Sequence, residues 1–166
     1  MSASMTVLTT LDPVEGFNFV VLEESGAALI RRRVFLPALE AEREAHAPDA
    51  AARGALTLGN YAFAPNGATD DGLMRIDIHA RRKDTLLIDG SILVTQAEGD
   101  LVRLEGLLVK KPSLWTRRVE VTRSYARIVG ARVPVAMASV ADVLIVGRST
   151  FRMTYDYESI NGQSVR

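Results

Sequence analysis

The fold is decided by residues 72–109, which read GLMRIDIHARRKDTLLIDGSILVTQAEGDLVRLEGLLV. Within residues 74–81, apolar side chains occupy the even positions and polar side chains the odd ones. An alternation with a period of two is typical of a strand that buries one face and exposes the other. It resumes at residues 86–95 and 101–109, after polar or glycine-containing connections. This stretch therefore predicts three neighbouring antiparallel strands.

The same pattern continues toward the C-terminus. Residues 115–125 alternate again after Pro112, which cannot donate a hydrogen bond to a sheet. Residues 131–146 are rich in Val and Ala, and they predict one long strand with an irregularity or two short ones. The final strand is predicted at residues 150–158, between turns at 147–149 and 161–162. Short connections favour pairing between successive strands, so residues 72–160 are predicted to form an antiparallel meander.

The first 70 residues have a different pattern. We expect residues 1–10 to be poorly ordered and residues 11–66 to form a strand, a helix and a second strand. The helix is predicted within residues 37–53, because Pro37 is favourable in a first helical turn and is followed by Ala, Leu, Glu and Arg. The second strand is expected at residues 56–64, with a turn at 66–67. No shift in composition marks a boundary, so residues 1–166 are predicted to form a single domain.

The predicted fold class is mainly β with one or two helices, an α+β arrangement. A curved sheet with one apolar face hides that face by packing a helix on it or by curling around an apolar ligand. One short helix is small for about seven strands, which favours an apolar ligand groove. A filled core is the alternative. The predicted lining consists of Ile76, Ile78, Ile88, Ile92, Leu107, Val109, Trp115, Val119, Val121, Tyr125, Met153 and Tyr155.

Two short segments depart from simple alternation. At residues 107–109 both faces of the strand are apolar, which predicts cover on both sides by a helix, a ligand or another layer. Arg31, Arg32 and Arg33 lie between apolar residues, which favours an amphipathic element at the rim of the groove. Ordinary surface arginines are the alternative interpretation.

Composition excludes several classes of function. The 20 basic and 20 acidic side chains cancel, so no long-range field attracts nucleic acid, and no nucleic-acid partner is predicted. The absence of cysteine excludes disulfides, thiol catalysis and thiolate metal sites. No window approaches the ~18 apolar residues of a membrane span, so no transmembrane segment is predicted.

Catalytic motifs are not found in the sequence. His46 and His79, the two histidines, fall on polar surfaces of their predicted elements and have no partners at metal-ligand spacing. No glycine-flanked serine elbow and no phosphate-binding loop occur. We therefore predict no catalytic residue, no metal and no cofactor, and a protein that is not an enzyme. A hydrolase that uses His79 and Asp77 is an alternative to the two non-enzymatic functions given below.

Residues 103–162 resemble the C-terminal half of uncharacterised bacterial envelope proteins and, more loosely, the outer-membrane lipoprotein-sorting carriers and receptors. This resemblance implies an incomplete antiparallel barrel, that is, an open half-barrel with a helical lid, and an apolar cavity for lipid acyl chains. It also implies a periplasmic protein whose signal peptide has been removed, and a cytoplasmic location stays open. The residues that carry the resemblance are Trp115 after the Pro112–Ser113 break, Tyr125, the run 130–134 and the closing run 155–158.

The leading functional prediction is a non-enzymatic periplasmic binding or carrier protein. Its ligand would be a lipid or a lipoprotein acyl chain in the apolar groove. The alternative is a structural or assembly protein of the cell envelope that binds a protein partner through the sheet.

Overall fold

The computed structural model describes residues 2–12, 14–111, 116–144 and 147–165. The chain is mainly β with two helices, which confirms the predicted α+β class. Its contacts group into two compact units, Met1–Ala55 and Leu56–Arg166. The single domain stays a prediction, since two compact units in one chain are compatible with one domain or with two.

The unit Met1–Ala55 contains a long hairpin and two helices. The hairpin pairs β1 (Ala3–Asp12) with β2 (Gly16–Gly26) in antiparallel register. Helix α1 runs through residues 28–45, and α2 follows at Pro48–Gly54. Residues 1–10 were expected to be poorly ordered, and the part of them from Ala3 onward belongs to β1.

Helix α1 begins nine residues before Pro37, which was predicted to mark its start. A proline inside a helix lacks an N–H and crowds the carbonyl one turn earlier. The chain accommodates Pro37 with a π-helical turn at Arg31–Phe35, in which the Leu36 N–H reaches the carbonyl oxygen of Arg31, five residues back. The arginine triplet therefore lies inside a helix.

The unit Leu56–Arg166 is built on a seven-stranded antiparallel sheet. Its strands pair strictly with their chain neighbours, which confirms the meander, and the sheet is not closed, as in an open half-barrel. A separate two-stranded hairpin follows it. The strands are β3 (Tyr61–Ala68), β4 (Leu73–Ala80), β5 (Ile88–Thr95), β6 (Leu101–Leu108), β7 (Thr116–Ile128), β8 (Ala131–Val143), β9 (Gly147–Thr154), β10 (Ser159–Ile160) and β11 (Gln163–Ser164). A helical lid over the sheet stays a prediction.

Several strand ends differ from the sequence prediction. Strand β3 begins at Tyr61 rather than at residue 56, and the predicted turn at 66–67 lies within it at an irregularity of register. The predicted turn at 147–149 is wrong, because these residues pair with β8 as the start of β9. In each case a glycine was interpreted as a turn, although Gly67 and Gly147 adopt positive φ inside strands.

The core of this unit lies on the apolar face of β3–β5. The buried cluster consists of Tyr61, Ile78, Leu87, Ile88 and Ile92. The Tyr61 hydroxyl accepts a hydrogen bond of 3.3 Å from the backbone N–H of Ile88, which satisfies the polar end of this ring. Burial raises the pKa of Tyr61 above its ordinary value.

A facing pair of glycines brings β5 and β6 unusually close. Gly90 lies opposite Gly106. A Cβ atom at Gly90 would lie 2.1 Å from the carbonyl oxygen of Glu105, and one at Gly106 would lie 2.3 Å from that of Asp89. These Cβ positions point to the same face as Ile78 and Ile88, so the neighbouring backbone closes over that face. We infer that the sheet bends here with its apolar face on the concave side.

Candidate ligand-binding surface

The strand register assigns each side chain to one of the two faces of the sheet, because residues directly opposite each other share a face. One row of facing residues crosses all seven strands on the apolar face. It consists of Phe63, Ile78, Gly90, Gly106, Val121, Ser139 and Phe151. The glycine pair lies between β5 and β6, and apolar residues of β6 still pack on the core cluster of β3–β5. We therefore describe the face in two parts, one over β3–β6 and one over β7–β9.

The predicted lining residues on β4 and β5 lie in the packed part. Ile78, Ile88 and Ile92 are 0%, 5% and 7% exposed, and Ile76 packs against them. Val109 also contacts this cluster, and its backbone N–H donates a 3.0 Å hydrogen bond to the carbonyl oxygen of Leu87. These side chains therefore fill the core over β3–β6.

Leu107 lies on the opposite face from the rest of the predicted lining. It faces Asp89 on β5 and Glu120 on β7. Cover was expected on both sides of residues 107–109. Leu108 and Val109 pack on the core, whereas Leu107 lies among charged neighbours on the polar face. Trp115 lies outside the described residues.

The remaining apolar surface lies over β7–β9, and all of its side chains are half-buried. We call it the β7–β9 surface. It consists of Val119, Val121, Tyr125, Met137, Phe151 and Met153. Sequence analysis missed Met137 and Phe151. The reason for Met137 is a bulge at Val135, which shifts the alternation of β8 relative to its neighbours.

Tyr155, the last residue of the predicted lining, lies just beyond β9. Its ring stacks on Tyr157 with centroids 6.5 Å apart, and its backbone N–H donates to the carbonyl oxygen of Val135. The Tyr157 hydroxyl donates a 2.7 Å hydrogen bond to the carbonyl oxygen of Pro134. The final strand of the sheet therefore ends at Thr154 and not at residue 158 as predicted. The hydrogen bonds of Tyr155 and Tyr157 hold the residues after β9 against β8 beside its bulge.

Three arginines lie on the apolar face of β7 and β8, toward one end. Arg123 occupies a position between Leu104 and Met137, and one of its nitrogens is 3.3 Å from the Met137 sulfur. Arg127 and Arg132 face each other beside the β7–β8 turn. Sequence analysis did not place any of them in the site.

Asp100 links the two arginines at this end. It accepts hydrogen bonds from Nε and Nη2 of Arg127, at 3.0 and 2.6 Å, and a further one from Arg132. Hydrogen bonds from Arg127 and then Arg132 hold the pKa of Asp100 below its ordinary value, and Asp100 raises the pKa of Arg127. Asp100 and Arg127 are therefore both charged at neutral pH.

The predicted rim arginines belong to helix α1. Arg31 forms an ion pair with Glu24 at 3.2 Å and donates a 2.6 Å hydrogen bond to the carbonyl oxygen of Gly26. Arg32 and Arg33 are exposed. The first arginine thus ties the helix to the end of β2, within the unit Met1–Ala55.

Two open surface depressions occur away from these residues. One, of about 250 Å³, is lined by Arg118, Glu120, Val140, Asp142 and Arg148 on the polar face of β7–β9. The other, of about 280 Å³, is lined by residues 4–6 and 23–25 of the β1–β2 hairpin. Neither includes a residue of the predicted lining.

The described part of the chain holds no group of three or more His, Asp or Glu side chains that could bind a metal ion. His46 stacks on Phe17 with ring centroids 5.3 Å apart, and His79 is exposed on the polar face of β4. Within the same described ranges, no helix is long and apolar enough to cross a membrane.

The resemblance to the lipoprotein-sorting carriers stays a prediction. A comparison with known proteins finds no matching family model, no matching curated protein and no matching solved structure.

Proposed function

We propose that this chain is a non-enzymatic periplasmic binding or carrier protein that holds a lipid or a lipoprotein acyl chain on the β7–β9 surface. One observation carries the proposal. The apolar face over β3–β5 contains the buried side chains Tyr61, Ile78, Ile88 and Ile92, whereas every apolar side chain of the β7–β9 surface is only half-buried. A partly exposed apolar surface of this kind suits a flexible apolar ligand.

Acyl-chain binding on this surface would be stabilised by the removal of apolar area from water, about 0.8 kcal/mol for each fully buried CH₂ group. Met137 and Met153 face each other in its middle. Methionine side chains are unbranched and polarizable, so they adapt to a ligand without a fixed shape. The periplasmic location rests on the resemblance alone.

The test compares two neighbouring substitutions on β7. Val121→Lys puts a charge on the β7–β9 surface, and Thr122→Lys puts the same charge on the opposite face. We expect native mass spectrometry to detect a bound lipid on the wild type and on Thr122→Lys, and not on Val121→Lys. Circular dichroism checks that both variants fold.

Delipidated protein should likewise bind a fluorescent fatty acid, and Val121→Lys should weaken this binding at least tenfold. Equal binding by both variants, or no lipid binding by the wild type, would contradict the proposal.

A second candidate is a structural or assembly protein of the envelope that binds a protein partner through the sheet. The observation in its favour is the edge strand β9, which pairs only with β8 among the described strands. An open edge can accept a strand from another chain. Light scattering on the wild type discriminates the two, because this candidate predicts association and the carrier does not require it.

A further inference from the structure

The β7–β9 surface has a cationic end, and its charge indicates which class of ligand would bind there. Along one face of β7, Val119 and Val121 are followed by Arg123, Tyr125 and Arg127. This face of β7 is therefore apolar at Val119 and Val121 and carries guanidinium groups toward the β7–β8 turn. A surface with this polarity along a strand matches a molecule that has an apolar tail and an anionic head.

The charges at this end do not balance within contact distance. Asp100 is the carboxylate that bonds both Arg127 and Arg132. Glu98 acts on Arg127 only through the longer-range field, and no ion pair links the two among the described residues. One carboxylate thus faces two guanidinium groups, which leaves one positive charge in excess.

Arg132 carries the excess charge. All three nitrogens of Arg127 are engaged, two with Asp100 and one with the carbonyl oxygen of Gly130. In contrast, the Nε–H of Arg132 is buried and has no hydrogen-bond acceptor in the described part of the chain. A buried donor without an acceptor is unfavourable, and 23% of the Arg132 side chain remains exposed.

We propose that the ligand is an anionic amphiphile whose carboxylate or phosphate head binds at Arg132. Its acyl chain would lie over Tyr125 and Met137 toward Val121 and Val119. This inference rests on the proposed carrier function and names its ligand class. A carboxylate accepts two charge-assisted hydrogen bonds from a guanidinium group, which a neutral ester or alcohol cannot match.

The experiment measures binding of three classes of probe to the full chain by calorimetry at pH 8. Dodecanoate and dodecyl phosphate carry the head and the tail. Methyl dodecanoate carries the tail alone, and acetate and inorganic phosphate carry the charge alone. We expect the two amphiphiles to bind at least tenfold more tightly than the methyl ester, because a hydrogen bond to a charged group is typically worth a factor of that size or more. The chainless ions should bind far more weakly than either amphiphile.

Three substitutions assign the head-group site. Arg132→Gln should lower dodecanoate affinity to that of the methyl ester and leave methyl ester affinity unchanged. The matched control is Arg152→Gln, on the polar face of β9 opposite Ala138, and it should change neither affinity. Asp100→Asn, which removes the competing carboxylate, should raise dodecanoate affinity severalfold and serves as a second readout if Arg132→Gln does not fold.

The outcomes separate this inference from the function on which it rests. Equal affinity for dodecanoate and its methyl ester would overturn the anionic head and leave the carrier in place. Chainless phosphate that binds as tightly as dodecyl phosphate would also overturn it, since the site would then recognise an anion alone. If none of the probes with a tail binds, both the inference and the carrier are wrong.

Discussion

Gly90 and Gly106 face each other in the middle of the sheet, and neither position has room for a methyl group. The atoms that a Cβ would meet are backbone atoms of the neighbouring strand, which cannot turn aside as a flexible side chain does. The strands would have to separate where the sheet bends. Two glycines thus permit the curvature that makes one face concave.

Gly90→Ala should therefore be strongly destabilising. We expect a loss of about 3 kcal/mol in the free energy of unfolding, at the upper end of the range for overpacked sites. Urea unfolding followed by circular dichroism measures it. Gly59→Ala is the control, because its nearest neighbour is a side-chain oxygen at 3.8 Å, and we expect a change within about 0.5 kcal/mol. Equal stability of the two variants would contradict the close approach of β5 and β6.

Single residues of the site were only partly predictable from the sequence. Val119, Val121 and Tyr125 follow from alternation along one strand. Arg127 lies on the same face of the strand as these residues, but a charged side chain in an alternating strand is ordinarily assigned to the face that contacts solvent. Its role depends on Arg132 across the turn and on Asp100 in another loop. Cross-strand neighbours of this kind depend on register, which local patterns do not determine.

The β7–β8 and β10–β11 hairpins differ in how well their turn residues suit a backbone with positive φ. Strands β7 and β8 are joined by Val129 and Gly130, with φ of 47° and 76°. Positive φ at both central residues is the type I′ arrangement, for which Asn-Gly is the preferred sequence. The β10–β11 turn has this sequence, with Asn161 and Gly162 at φ of 51° and 77°. Val129 is a β-branched residue in a conformation that its side chain disfavours.

Val129→Asn should stabilise the chain by about 1 kcal/mol, because it relieves this backbone strain. The increase would be read from the urea midpoint at unchanged slope. Asn161→Val is the matched reverse substitution and should destabilise the β10–β11 hairpin. A Val129→Asn variant no more stable than the wild type would mean that the turn is not strained.

Elements in which apolar and polar residues alternate strictly were predicted well. Elements with an irregularity that the structure accommodates, such as Pro37 in helix α1, were not. Strands β4, β5 and β6 lie within two residues of their predicted ends, because each buries one face. Strand β1 was missed, since most of its side chains are exposed and give little periodic signal. The predicted helix is shorter than α1 because Pro37 was interpreted as its first residue. The π-helical turn before Pro37 allows the helix to extend toward the N-terminus.

At the scale of the whole molecule, the buried apolar side chains are distributed unequally between the two units. Tyr61, Ile78, Leu87, Ile88, Ile92 and Leu93 belong to Leu56–Arg166. Leu39 is the one buried hydrophobic residue described in Met1–Ala55. A unit with so little buried apolar surface has little to offset the entropy of its ordered backbone.

We therefore expect residues 56–166 to fold when expressed alone and residues 1–55 to remain unfolded. The isolated sheet should give a cooperative urea transition and dispersed amide resonances. The isolated N-terminal piece should give neither, because a two-stranded hairpin is at best marginally stable in water. An unfolded fragment 56–166 would show that its own core is insufficient.

The unequal burial along the sheet affects how this protein can change over time. The buried side chains of the core cluster lie over β3–β5, and the half-buried apolar side chains of the proposed ligand surface lie over β7–β9. Distant sites contribute almost additively to stability. Under the proposed function, substitutions at Met137, Phe151 or Met153 would alter which molecule is bound while the core around Ile78 stays intact. One sheet with this division is a scaffold on which ligand preference can diverge.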